Sequence, residues 1–253
     1  MRTFVRFPLF LSLAAVVGTA ACSDDSDDGR LEVVVYGEAF IEEGIPASEM
    51  SDGWSVVFDS FQIELGEVTV AEAGAAPALE ALAYNTYEIA VPTGGAGLAV
   101  AAGDVPNGAY SEVSYRLGTV QVSGTATRDG VEKTFDWTMA TETRYSGCEG
   151  IAVVDGSTAT TQLTIHGDHL FFDDLVSDEP NVAFDLIAQA DDQGNADGVI
   201  AIDELEAVDI TALNRYQVGN LTSVTNLWAF IDAQASLMGH IDGEGHCNNA
   251  DRD

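Results

Sequence analysis

Between residues 31 and 166 of this 253-residue chain, apolar side chains recur at every second position in short runs, and turn residues separate the runs. No other feature limits the fold as much. Successive residues of a strand face opposite sides, so this alternation buries one face of a sheet and leaves the other to water. The clearest runs are Leu31-Glu32-Val33-Val34-Val35-Tyr36 and Trp54 to Ile63. Further strands are expected at Glu67 to Ala71, Tyr87 to Val91, Gly97 to Ala101, Tyr110 to Leu117, Thr119 to Gly124, Lys133 to Met139 and Thr158 to His166. Pro92-Thr93-Gly94-Gly95 and Val105-Pro106-Asn107-Gly108 are turn sequences between them. Eight or so strands with no helical period between them predict a mainly β fold, an antiparallel β-sandwich over residues 31–166.

Pro106-Asn107-Gly108-Ala109-Tyr110, a turn that enters a strand, resembles a device of immunoglobulin-like and transthyretin-like modules in bacterial surface proteins. The resemblance implies a sandwich of that kind. After His166 the pattern changes. Phe171 to Val176, Asn181 to Ala190, Asp203 to Val208 and Ser223 to Met238 have helical spacing. In the last, Val224, Leu227, Phe230, Ile231 and Met238 share a face that only Gln234 interrupts. Ser223 is the expected N-cap and Gly239 the expected terminator. Residues 167–253 are thus expected to form a helical appendage.

The N-terminus is a separate matter. Arg2 and Arg6 precede an apolar run from Phe7 to Val17, and Gly18-Thr19-Ala20-Ala21-Cys22 follows. A charged segment, a short apolar segment and small residues in that order make a signal peptide. The run is too short for a spanning helix. The stretch resembles the lipobox of bacterial lipoproteins, with Thr19 where that family usually carries leucine. The resemblance implies that residues 1–21 are removed and that Cys22 is acylated, anchoring the chain in a lipid bilayer of the cell envelope, at the outer membrane or periplasmic face. Residues 22–30, with Ser23-Asp24-Asp25-Ser26-Asp27-Asp28, are then an acidic tether. Of three cysteines, Cys148 and Cys247 remain. Export to an oxidising compartment predicts a disulfide between them, tying the helical region back to the sandwich.

Charge excludes some partners. The whole chain has nine basic and 42 acidic residues and a net charge of -33, so nucleic acid and anionic lipid are disfavoured. Such a surface suits multivalent cations or a saline habitat, and Lys133 is the single lysine. No protein partner can be named from it.

Two constellations bear on chemistry. Gln193-Gly194-Asn195-Ala196-Asp197-Gly198-Val199-Ile200-Ala201-Ile202-Asp203-Glu204 resembles an EF-hand calcium loop. The resemblance puts Gln193, Asn195, Asp197, the Val199 carbonyl and Glu204 at ligand positions, with Gly198 at the turn. Gln193 stands where the pattern has aspartate, and Asp191 or Asp192 would enter the site if the loop carries an insertion. Calcium is the expected ion.

The four histidines all lie in two short stretches, His166-Gly167-Asp168-His169 and His240 to His246. Both are polar and glycine-rich. Imidazoles suit zinc, copper or iron, and Asp168, Asp242 or Glu244 could support them. On an extended strand His166 and His169 would face opposite ways; on a helical turn they would face the same way. A shared metal site of His166, His169, His240 and His246 is the expectation.

No catalytic residue stands out: there is no Gly-x-Ser-x-Gly elbow and no phosphate-binding Gly-x-x-x-x-Gly-Lys. Trp54, Trp137 and Trp228 are expected in core or rim positions. The chain is therefore expected to be a non-catalytic, metal-binding envelope lipoprotein. The alternatives are a metal-dependent enzyme using the histidines and a structural or adhesive module in which ions serve stability only. A deep pocket beside the histidines would favour the enzyme, and a closed ligand set the other two.

Overall fold

A computed structural model describes residues 28–249. The signal peptide expected at 1–21, Cys22 and most of the expected tether lie outside the described residues, as does the C-terminal end beyond 249.

The described residues form thirteen strands: β1 (Asp28–Gly37), β2 (Ser55–Ala71), β3 (Leu79–Ala81), β4 (Asn85–Glu88), β5 (Leu98–Pro106), β6 (Gly108–Tyr110), β7 (Glu112–Arg128), β8 (Val131–Cys148), β9 (Ile151–Val153), β10 (Thr158–Ile165), β11 (Val199–Ile200), β12 (Gly239–Ile241) and β13 (Asn248–Asn249). Four short helices join them: α1 (Ala39–Glu42), α2 (Asp185–Gln193), α3 (Ile202–Glu206) and α4 (Leu227–Ala235). With 48% strand against 14% helix the fold is mainly β, and among the described residues no sheet closes into a barrel.

One sheet has the order β12-β10-β1-β5 and a larger one the order β11-β8-β7-β2-β3, with β4 also on β2 and β13 also on β8. β6 and β9 form a small pair. The pairing is not purely antiparallel, as the sequence led one to expect, because β1 runs parallel to β10 and β8 parallel to β11. Asp28, Gly29 and Arg30 belong to β1 rather than to a tether, since they pair with Pro106, Val105 and Asp104 of β5.

The expected runs at 54–63 and 67–71 merge in β2, which begins at Ser55, and those at 110–117 and 119–124 merge in β7 from Glu112 on, Tyr110 belonging to β6. Bulges carry the ladder through the interruptions: its register shifts at Gly66 and between Leu117 and Thr119, and Glu67 and Glu142 adopt positive φ. Along β8 the inward row reads Lys133, Phe135, Trp137, Met139. Leu31, Val33, Val35, Leu163 and Ile165 from the first sheet and Phe61, Ile63, Val122 and Trp137 from the second join one continuous core. Trp54 is buried with them, and Trp228 packs at their edge.

The region after His166 is joined to the rest by strand pairing as well as by the expected disulfide, for β11, β12 and β13 each pair with a strand of the first 166 residues. Cys148 and Cys247 are bonded. The helix expected at 171–176 does not form. Asp174 Oδ1 accepts from the backbone N–H groups of Val176 and Ser177, and Asp173 Oδ1 from that of Asn181. Such side-chain bonds compete with a helix for the same donors. The last helix is shorter than expected. Asn226, not Ser223, caps it by accepting from Ala229 N–H at 2.9 Å, and Gly239 begins β12. The misplaced Gln234 is fully buried, and its amide donates to the Phe172 and Asp174 carbonyls. It thereby holds the irregular segment against α4.

Candidate metal centre

His166 follows the last residue of β10, and its N–H donates to the Met238 carbonyl at 2.9 Å. The chain then enters a tight 3-10 turn at Asp168–Phe171, which brings His169 round to the same side. His240 lies in β12, opposite Thr164 of β10. The three rings gather: His166 is 4.2 Å from His240 and 5.7 Å from His169, and His169 is 5.3 Å from His240, between centroids. One ligand nitrogen from each lies within 4.8 Å of the others. Tetrahedral zinc would hold them about 3.3 Å apart, a difference that side-chain rotation can close. His246 is exposed and stands outside this trio, its ring 5.8 Å from His240.

Behind His166 are two acids. Glu38, just after β1, places Oε2 3.4 Å from His166 Nδ1, and its Oε1 accepts from Gly167 N–H at 3.1 Å. Glu38, His166 and Asp168 form a second group whose ligand atoms lie within 4.8 Å. Burial pushes Glu38 up to about 7, against hydrogen bonds from Gly167 and Asp168 that work to lower it. Asp168 is also pushed up to about 7, by burial first and then by the charge of Glu38. The Glu38 carboxyl beside Nδ1 orients the ring, and on the other side His166 Nε2 lies 3.3 Å from the Gly243 carbonyl oxygen. Asp242 belongs to neither group, and its Oδ1 accepts from Gln162 N–H at 2.8 Å.

Burial, followed by the charges of His166 and His246, lowers His240 to about 4. Its imidazole is therefore neutral over the whole physiological range, as a metal ligand must be. His240 Nδ1 and Asp168 Oδ1 are buried without a hydrogen-bond partner, a cost that a ligand would remove. Two stacked tyrosines hold β12 from beneath. Tyr115 donates to the His240 carbonyl at 3.1 Å, and Tyr145 accepts from Gly239 N–H at 3.1 Å.

The trio opens on one side to a cleft of about 460 Å³ lined by His169, His240, His246, Phe172 and Gln234. A larger cleft of about 790 Å³, lined by Trp54, Arg128, Lys133, Arg215 and Tyr216, shares no residue with it. The cations of that larger cleft are already engaged by carboxylates: Arg128 by Asp185, Arg215 by Asp173, and Lys133 by Asp191 and Asp192.

At the EF-hand-like loop, the helix, loop, strand and helix follow in the expected order as α2, 194–198, β11 and α3. The oxygens at the expected ligand positions are used internally. Asn195 Oδ1 accepts from Asp197 N–H at 2.9 Å and Asp197 Oδ1 from Val199 N–H at 2.9 Å. Glu204 accepts from Asn195 N–H at 3.0 Å and from Ala201 N–H at 3.1 Å. Gln193 is an exposed residue at the end of α2 and Asp192 reaches Lys133. Asp191 is the aspartate whose Oδ1 accepts from the turn residue Gly198, at 3.2 Å.

The sequence singled out the four histidines, of which the structure brings three together, and gave no sign of Glu38, one acid among 42. Among the described residues no helix is long and apolar enough to cross a membrane. Comparison with protein families, with curated proteins and with solved structures returned no match.

Proposed function

We propose that this protein is a metal-binding lipoprotein of the bacterial envelope, non-catalytic and anchored through an acylated Cys22. Its metal centre is His166, His169 and His240, with His246 as a fourth ligand from the cleft side. The observation that carries the reading is the gathering of three imidazoles from two segments distant in sequence, with Glu38 behind His166 and His240 held neutral. An all-nitrogen donor set favours zinc, copper or iron over calcium or magnesium. A sandwich scaffold of immunoglobulin or transthyretin type is part of the proposal, supported by the single core to which both larger sheets contribute.

The 460 Å³ cleft beside three of the histidines favours one alternative, a metal-dependent enzyme. Three protein ligands would leave a coordination position for water facing that cleft. His246 decides between the two: as a fourth ligand it closes the site, and as a bystander it leaves the site open.

The test is elemental analysis of protein purified without chelator or affinity metal, for wild type and for His166→Ala, His240→Ala and His246→Ala. Near-stoichiometric zinc, copper or iron in wild type, lost in the first two variants, is expected. Retention of metal in both would refute the centre. Metal lost with His246→Ala supports binding, and metal kept there supports the enzyme. Fatty-acid labelling of wild type, absent in Cys22→Ser, tests the anchor.

A further inference from the structure

The single lysine of the chain sits where a lysine is least expected. Lys133 lies on the inward row of β8 with Phe135, Trp137 and Met139, and its side chain is 8% exposed. An ammonium in such a position needs compensation. Asp191, whose side chain is fully buried, and Asp192, at 2.6 Å, supply it. These acids end α2, at the mouth of the EF-hand-like loop. Asp191 performs the first-position task of such a loop, since its Oδ1 accepts from the glycine of the turn while its other oxygen holds the lysine.

Calcium loops work by compensating clustered carboxylates with one divalent ion. Here the carboxylates do not converge. Among the described residues the only groups of three His, Cys, Asp or Glu ligand atoms within 4.8 Å are the two around His166. Glu204, which would have to give both oxygens to an ion, gives both to backbone N–H groups. The loop is nevertheless built tightly. A Cβ on Gly194 would lie 2.2 Å from Glu204 Oε1, and β11 pairs with β8 at Thr134 and Phe135, directly after the lysine.

We propose that the Lys133 ammonium is the resident cation of this loop, standing in for the divalent ion, so that calcium enters only when the lysine is removed. The loop is then a metal-independent joint that fastens α2 and α3 to β8. Calcium binding, expected from the sequence, is latent. This inference does not rest on the histidine centre.

The experiment is calcium titration followed by calorimetry and by thermal melts, on wild type, Lys133→Met and Glu204→Gln. Wild type is expected to take up no calcium at millimolar concentration and to show no shift. Lys133→Met, with Asp191 buried and uncompensated, is expected to melt lower in EDTA and to rise by roughly 5 °C or more when calcium is returned. Stoichiometric calcium uptake by wild type that Glu204→Gln abolishes would overturn the proposal. So would a Lys133→Met protein that does not respond to calcium, or one that fails to fold even with calcium present. Folding of Lys133→Met only with calcium would support it.

Discussion

Gly239→Ala tests whether the tyrosine pair beneath β12 sets the position of His240. The added Cβ would lie 2.6 Å from Tyr115 Oη and 2.6 Å from Tyr145 Cζ, with Tyr145 Cε2 at 2.8 Å. Neither ring can step aside. They are buried and stacked on each other, 4.8 Å apart with 15° between their planes. Overpacking of this kind costs about 1–3 kcal/mol. If β12 moves to relieve it, the bonds from Gly239 N–H to Tyr145 and from Tyr115 to the His240 carbonyl stretch, and each orphaned polar group adds about 1–3 kcal/mol. With one polar group orphaned the total expected is about 2–6 kcal/mol, read from urea unfolding of metal-free protein. His240 would move with its strand, and ligand distances tolerate only about 0.2 Å, so zinc affinity in a competition titration should fall at least tenfold. Tyr145→Phe, which loses a hydroxyl without the clash, should cost less on both counts. A Gly239→Ala protein within about 0.5 kcal/mol of wild type and unchanged in zinc affinity would refute the reasoning.

The paired substitution Cys148→Ser with Cys247→Ser opens a loop whose ends are 99 residues apart, and chain entropy predicts a loss of about 4–5 kcal/mol in guanidinium unfolding. A loss below about 1 kcal/mol would show that strand pairing alone holds the C-terminal segment. In metal-free protein the raised Glu38 and Asp168 contribute stability that is complete below their ordinary values, near 4, and is lost as pH rises through about 7. The lowered His240 acts in the opposite sense, its contribution being present above the ordinary 6.5 and lost as pH falls through about 4. Glu38→Gln should therefore flatten the decline of stability between about 4.5 and about 7, by an amount of the order of 2 kcal/mol once partial exposure is allowed for. Unfolding midpoints that run parallel to wild type across that range would contradict this.

The strands were legible because each has one buried face, and Leu31 to Tyr36 or Lys133 to Met139 write that face directly into the sequence. Their joins were not. Gly66 and Gly118 read as breaks, whereas in the ladder they are places where a long strand bends and continues. The parallel pairing of β1 with β10 could not be read at all, because a period of two says which face is buried and nothing of which distant strand lies alongside. Helical spacing at 171–176 misled for a local reason: Asp173 and Asp174 offered their own backbone a better set of bonds. The histidines declared themselves by scarcity, four residues in two stretches. Scarcity also marks Lys133, whose place in an apolar alternation was the available sign that its charge is used inside the protein. Abundance concealed Glu38.

The place of β1 has a mechanical consequence. It is held on one side by β5 and on the other by β10, over eight paired positions each, so a pull transmitted through the residues before Asp28 along the strand would load both ladders in shear. Bonds loaded this way must yield together, whereas an edge strand peeled sideways gives way one pair at a time. The other end of the described chain is stapled to β8 through Cys247. Tension between the two ends is thus borne by the body of the fold, and the rate of forced opening is governed by the barrier to breaking two ladders at once rather than by fraying at an end.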